Sequence, residues 1–272
     1  MKRKMKVYLP FMENELKRNL AYKGSFYLFI LTSCFSSFIA YYLWMAIYGS
    51  SGSGILGGLT RNEMTIYVFM TYVTSNVVTV GIAGEISDNV LEGSVVINLI
   101  KPIDYRLSLI FKALGTVVYR FIVPSVFIWI GVEIYKVKAL GIPVVNIQNV
   151  ILYLVSSFMS FLIYVLFDFC FGMIAFVTTY MFGMSMAKNA LTAFLTGQMI
   201  PISFFPGTLQ KIFDFLPFSS MIYTPVMIYL GKYTGNGLFF ILLRQLVWII
   251  ILYILGTVLW GKITKRMVIL GG

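Results

Sequence analysis

Ten carboxylates, two thiols and no histidine make up the acid–base and metal-binding inventory of this 272-residue chain. Cys34 and Cys170 both lie inside apolar runs, so they read as small packing residues rather than a bridge. Without imidazole, and without cysteines at ligand spacing, no metal site is expected. There is no Gly-x-Ser-x-Gly turn, and the carboxylates are too sparse for a paired acid and base, so no catalytic residue is assigned. One run imitates a phosphate loop: Gly256, Gly261 and Lys262 have Walker A spacing. Ile263 then stands where a Mg2+-binding hydroxyl is required, and the run lies inside an apolar stretch. The chain is therefore not expected to hydrolyse ATP by itself.

The polar residues that remain inside apolar stretches are the better candidates. Arg120 and Asp168 each fall roughly 8–14 Å from the same end of neighbouring helices, at 1.5 Å per residue. Consecutive helices are antiparallel, so the two are expected to meet as an ion pair. Such a pair could fix helix packing or line a transport path. Ser156, Ser160 and Tyr164 lead to Asp168 at successive four-residue steps, and Thr71, Ser75 and Thr79 make a second stripe. Stripes of this kind serve close helix packing or line a cavity for an amphipathic solute; spacing does not separate the two.

The elements that must carry these residues follow from composition. The chain is 59% hydrophobic and only 11% charged, with a mean hydropathy of +0.88. A soluble domain carries about 25% charged residues, so most of this chain must sit in lipid. A helix needs roughly 20 apolar residues to cross a ~30 Å hydrocarbon core. Six stretches qualify or nearly so: 25–48, 64–84, 115–134, 150–177, 190–205 and 238–260. The fifth is short and ends in prolines. The basic residues are asymmetric: fourteen fall before the first stretch, in the second-to-third and fourth-to-fifth connections, and in the tail. They include Lys2, Arg3, Lys4, Lys17, Arg18, Lys112 and Lys188; six others fall on the opposite side. The expected fold is an all-α integral membrane domain over 1–272, with six transmembrane helices and both termini cytoplasmic. The net charge of +11 is thus a topology signal, and no nucleic-acid partner is expected.

Three segments are not spans. Residues 1–23 form an amphipathic elbow helix, with Met12, Leu16 and Leu20 on one face, suited to the bilayer surface or to a cytoplasmic partner. Residues 85–102 hold Glu85, Asp88 and Glu92 and stop at Pro102; Ile86, Val90, Leu91 and Val95 predict one helical face. This loop could rest on the bilayer or receive the push of a soluble motor. Residues 201–218 are apolar but broken by Pro201, Pro206 and Pro217, which predicts a re-entrant outer segment.

Taken in order, these features resemble the permease of a bacterial type-2 ABC exporter, in its six-span group of about 260–270 residues. The resemblance spans nearly the whole chain. It rests on Glu92-Gly93 followed by Leu99, Ile100, Lys101 and Pro102, where that group has Gly and then Leu-Leu-Arg-Pro. It rests more specifically on Gly197 through Pro201 to Pro206, then Leu216-Pro217-Phe218, then Tyr223 and Pro225. Lys101 stands where arginine is commoner, which keeps the charge. The resemblance implies a cytoplasmic ABC ATPase subunit as partner, holding ATP and Mg, and a second permease, either another copy or a paralogue. It implies that 85–102, with Glu85, Asp88, Glu92, Gly93, Lys101 and Pro102, couples to that ATPase. It further implies a multi-pass protein of the bacterial cytoplasmic membrane that moves a drug, peptide or lipid-like substrate outward. A stand-alone secondary transporter or channel, and a non-transporting scaffold subunit, are the rival readings. The first would usually show more intramembrane carboxylates or an inverted repeat.

Overall fold

The computed structural model describes residues 5–21, 23–178 and 180–271; Lys2, Arg3 and Lys4, counted above in the charge asymmetry, lie outside them. Within those residues the fold is helical apart from a two-strand hairpin, β1 (Ile55–Leu56) and β2 (Leu59–Thr60). Four helical runs are long and apolar enough to cross a membrane: Ile30–Ser50, Arg61–Leu91, Ile147–Phe176 and Gly235–Lys265. They coincide with the first, second, fourth and sixth expected spans.

The chain opens with α1 (Leu9–Ala21), followed by α2 (Lys23–Ser50). The buried edge of α1 differs from the expected one: Leu20 is exposed, Met12 and Leu16 are half-buried, and Glu15 is buried. A carboxylate can occupy that interface because it is satisfied there. It accepts from Arg18 at 2.7 Å, Asn19 at 3.1 Å and Thr116 at 3.2 Å. The crossing with α6 (Tyr105–Arg120) is made close by Gly115, where an added Cβ would lie 2.4 Å from the Met12 carbonyl oxygen.

The second run divides into α3 (Arg61–Val78) and α4 (Ile82–Leu91). α3 starts with a capping box in which Thr60 and Glu63 satisfy each other's backbone N–H groups. α4 leads through Gly93, at φ 71°, into α5 (Ser94–Ile100). The expected third span falls on α6, a π turn at Phe121–Ser125, and α7 (Val126–Ala139). Pro124 lacks an N–H for the helical ladder, and the wider π turn absorbs that gap without ending the helical run.

α8 (Ile147–Gly172) is the central helix, packing on α3, α4, α11 (Tyr223–Tyr229) and α12 (Gly235–Gly271). The expected stretch 190–205 is corrected. The helix there is α9 (Phe182–Leu195), which begins eight residues earlier and gives way to turns and a 3-10 turn at Ile202–Phe204. Its fourteen residues rise ~21 Å, short of a ~30 Å core. α10 (Gly207–Phe215) follows.

Among the described residues, buried apolar side chains form two clusters. One gathers Ile82, Ile86, Leu109, Phe161 and Phe169 at the α4–α5 end. The other gathers Trp44, Met64, Tyr67, Tyr153 and Tyr229 at the far end.

Candidate functional site

The segment 85–102 is not one amphipathic helix. Its first half continues α4, and Gly93, in the left-handed region that favours glycine, turns the chain back into α5. Of the four residues expected on one face, Ile86 and Val95 are buried and Val90 is half-buried, but Leu91 is 55% exposed. Ile86 docks where Gly172 leaves room: a Cβ there would stand 3.0 Å from the Ala83 Cα. Polar bonds then pin the turn. Lys112 pairs with Glu85, Asn89 donates to the Tyr105 hydroxyl at 2.9 Å, and Ser94 donates to Asn89 at 3.0 Å. Glu85 is thereby spent inside the fold. Asp88, Glu92, Gly93, Lys101 and Pro102 remain exposed beside Leu91, Val96, Ile97 and Ile100. Among the described residues Lys101 bonds only as far as Asn98, at 2.9 Å.

The expected pairing of Arg120 with Asp168 is corrected. Asp168, fully buried, forms its ion pair with Lys188, and its second oxygen accepts from the Ala83 backbone N–H at 2.9 Å. Arg120 donates instead to the Thr79 carbonyl at 2.8 Å. The reason is the early start of α9, which carries Lys188 into the bundle one helical hairpin after Asp168. Ala83 lies in the first turn of α4, where backbone N–H groups lack helical partners. One carboxylate therefore ties together α4, α8 and α9.

The two polar stripes divide by role. Ser156 donates to Gln245 at 3.0 Å, and Gln245 donates to Ser160 at 3.0 Å and to the Ser220 carbonyl at 2.9 Å, which is packing between α8 and α12. Thr71 is buried and bonds back to the Val68 carbonyl. Ser75, Thr79 and Tyr164 instead line a cavity of about 360 Å³, together with Arg120, Asn189 and Gln198.

The proline-broken segment is also deeper and later than expected. Pro201 and Pro217 are buried, but Pro206 is exposed at the start of α10. The stretch that sinks into protein runs from 217 to 229, including the whole of α11. Irregular backbone there is satisfied by protein: Tyr67 donates to the Gly197 carbonyl, and the Tyr223 N–H donates to the Thr196 carbonyl at 3.1 Å. Charges staple it from three helices. Tyr229 donates to Glu133 of α7, Lys232 pairs with Glu63 of α3 at 2.6 Å, and Arg244 of α12 donates to the Asp214 carbonyl at 2.7 Å. Burial pushes the Asp214 carboxyl above its ordinary range, while the adjacent Arg244 pulls it back.

A family model described as ABC-2 family transporter protein matches residues 29–271. The chain belongs to the ABC-2 transporter family. Among curated proteins, none matches it. The ABC-2 match takes in every element of the sites above except α1, and it makes this chain a multi-pass membrane component of an ABC transporter. Four of the polar residues that build these sites do not stand out from residue type and spacing as site residues. Lys188 reads as a loop charge, Gln198 enters only within the Gly197–Pro201 run of the resemblance, and Asn189 and Gln245 carry no reading of their own. Their signal is present: each is a cation or carboxamide in or beside an apolar run, where a polar group must find a partner or a cavity.

Proposed function

We propose that this chain is the membrane-spanning subunit of an exporter in the bacterial cytoplasmic membrane, driven by a separately encoded ATPase that holds ATP and Mg. The chain itself performs no hydrolysis. It crosses the membrane six times, α6–α7 and α9 with its following turns supplying the third and fifth passes, and both termini are cytoplasmic. Two such subunits, alike or paralogous, stand on two ATPases. The substrate is amphipathic, leaving outward by alternating access or lateral extrusion.

The observation that carries this reading is the α4–Gly93–α5 surface. Asp88 and Glu92 are exposed there with no ion pair among the described residues, beside exposed Leu91, Ile97 and Ile100. Acids cannot lie in hydrocarbon, so this surface suits a soluble partner better than lipid. The opposite face of α4 is locked to α8, and its first turn is bonded to Asp168, so a push on the exposed face reaches α8 and α9 without slack. Gly93 permits the close turn, and the α1–α6 contact at Gly115 makes α1 a second lever.

Copurification of the native chain with its soluble partner tests the proposal. The expected result is an ATPase in the wild-type preparation, lost in Glu92→Lys and in Gly93→Val at unchanged yield of folded membrane protein. An ATPase retained by both variants would leave the surface as a mere connector.

A further inference from the structure

A second cavity, of about 550 Å³, lies between α2, α3 and α7, and its chemistry is the opposite of the polar one beside Arg120. Ile30, Phe38, Phe69, Phe127 and Ile128 supply its walls, and no charged side chain lines it. Its hydroxyls are spent inside the protein. Ser37 donates to the Cys34 carbonyl at 2.8 Å, Thr65 donates to the Arg61 carbonyl at 3.1 Å, and Tyr41 and Tyr135 bond to each other. A space without free donors or acceptors gives water nothing to hold, so apolar matter fills it. Its volume falls within the ~300–1,000 Å³ range of ligand pockets. Gly131 adds to the room. It stands in the middle of α7, where glycine is a poor helix former, and a Cβ there would meet no atom within 4 Å. No close packing explains that glycine; open space in the cavity wall does.

The length and the ends of the cavity select among apolar ligands. Along α2 its lining runs from Ile30 to Tyr41, a rise of ~16 Å at 1.5 Å per residue. That is about half of a ~30 Å hydrocarbon core, the depth of one leaflet. Its tyrosines and Thr65 gather toward the far end of the bundle, and Arg61 stands one helical turn beyond Thr65. The Arg61 Nε donates to the Met45 Sδ at 3.3 Å, and Met45 lies one turn beyond Tyr41 on α2. The guanidinium thus sits on the seam between α2 and α3, past the polar end of the cavity. It is exposed and makes no ion pair among the described residues. The acid nearest to it in sequence, Glu63, is held by Lys232 at 2.6 Å and by the Thr60 N–H at 2.8 Å.

We infer that this cavity holds one acyl chain of an anionic phospholipid, whose headgroup lies at Arg61. The tail is recognised by an apolar slot one leaflet deep, and the headgroup by a basic residue at the level where the slot turns polar. The inference goes beyond the exporter reading and stands without it, since it needs only a membrane-embedded chain.

The test uses the full chain in phosphatidylcholine nanodiscs, photolabelled with traces of phosphatidylglycerol or phosphatidylcholine that carry the same diazirine-bearing acyl chain. Crosslinked positions are mapped by mass spectrometry. Labelling by phosphatidylglycerol should concentrate on 30–41 and 124–135, exceed that by phosphatidylcholine about fivefold, and be competed by unlabelled phosphatidylglycerol. The exposed face of α12, with Phe240 and Ile254, reports ordinary lipid contact. Gly131→Leu, which fills the cavity from α7, should lower cavity labelling to the α12 level. Cys34→Phe fills it from α2 and serves if Gly131→Leu does not fold, as judged by thermal unfolding. Arg61→Gln should bring the ratio of the two lipids close to one while phosphatidylcholine labelling stays unchanged. Cavity labelling no stronger than that of α12, or unchanged by both filling variants, would reduce the site to ordinary lipid contact and overturn the inference. Equal labelling by the two lipids in the parent chain overturns the role of Arg61 and the anionic ligand with it. Labelling of α12 with none in the cavity would give the space to a second copy of the chain, which also overturns it.

Discussion

The two ends of the bundle use the same few polar residue types differently. At the far end every acid is spent: Glu63 on Lys232, Glu133 on Lys136 and Tyr229, Asp214 on Arg244. Tyrosines complete the closure, Tyr48 donating to the Leu59 carbonyl at 2.8 Å and Tyr153 sharing a 3.0 Å bond with Thr74. At the α4–α5 end some acids are spent and some are kept. Glu85, Asp168 and Glu15 hold cations, while Asp88, Glu92 and Glu13 hold none among the described residues. The difference teaches that one end is closed by internal pairing, while the other keeps exposed charge that the proposed partner would use. Internal pairing supplies rigidity, and exposed charge without an ion pair leaves a surface open to a partner.

The sharpest break in this contrast is at the centre of the α4–α5 end. Asp168→Ala leaves Lys188 buried and uncompensated and is expected to destabilise by about 3–5 kcal/mol. Thermal unfolding in detergent measures it, and the double change Asp168→Leu with Lys188→Met should recover most of the loss. Additive losses in that cycle would remove the pair from the argument.

A smaller effect is expected where α1 meets α6. Gly115→Val places side-chain carbon against the Met12 carbonyl and should cost about 1–3 kcal/mol as overpacking. Because the pressure falls on backbone, α1 should lift away, and proteolysis after Lys17 should quicken while the bundle core stays protected. Unchanged proteolysis would mean that α1 is held elsewhere.

At the far end, Tyr229→Phe removes the hydroxyl that donates to Glu133 and accepts from Trp129 at 3.2 Å. The expected loss is about 1–2 kcal/mol, since Lys136 still neutralises the acid. Hydrogen exchange should rise over 217–229 and not over 82–100; a rise at both ends would show that the two closures are one.

The smallest stability effects belong to the exposed surface and its nearest pin. Lys112→Ala, opposite a half-exposed Glu85, should change unfolding by no more than about 1 kcal/mol. Glu92→Lys should stay within about 0.5 kcal/mol of the parent while abolishing ATPase copurification. A large stability loss in Glu92→Lys would place that residue with the internal pairs instead.

Much of this contrast is legible in the sequence, and the illegible parts share a cause. The acids of 85–102, the prolines of 201–217 and the Ser/Thr stripes are visible from residue type and spacing. What hydropathy hides is α9. Gly183, Ser185, Lys188 and Asn189 lower its apolar average, so the stretch reads as a connection and its helix is displaced toward 190–205. With α9 misplaced, Asp168 lacks its true partner, and Arg120 is assigned to it by equal depth on the neighbouring helix. The buried segment around α11 escapes notice for the converse reason: residues 219–229 are short and mixed, and only their burial marks them.

By itself the sequence determined that this chain is a helical membrane protein, where its four long apolar helices lie, and where its exposed acids lie. Those properties depend on transfer free energies that add along the chain, residue by residue, and need no knowledge of neighbours. Tertiary structure alone decided which cation meets Asp168, which serines pack and which face a cavity, and which end is sealed. Each of these depends on distances between helices far apart in sequence. In a low-dielectric interior a shift of one helix by a few residues exchanges one ion-pair partner for another.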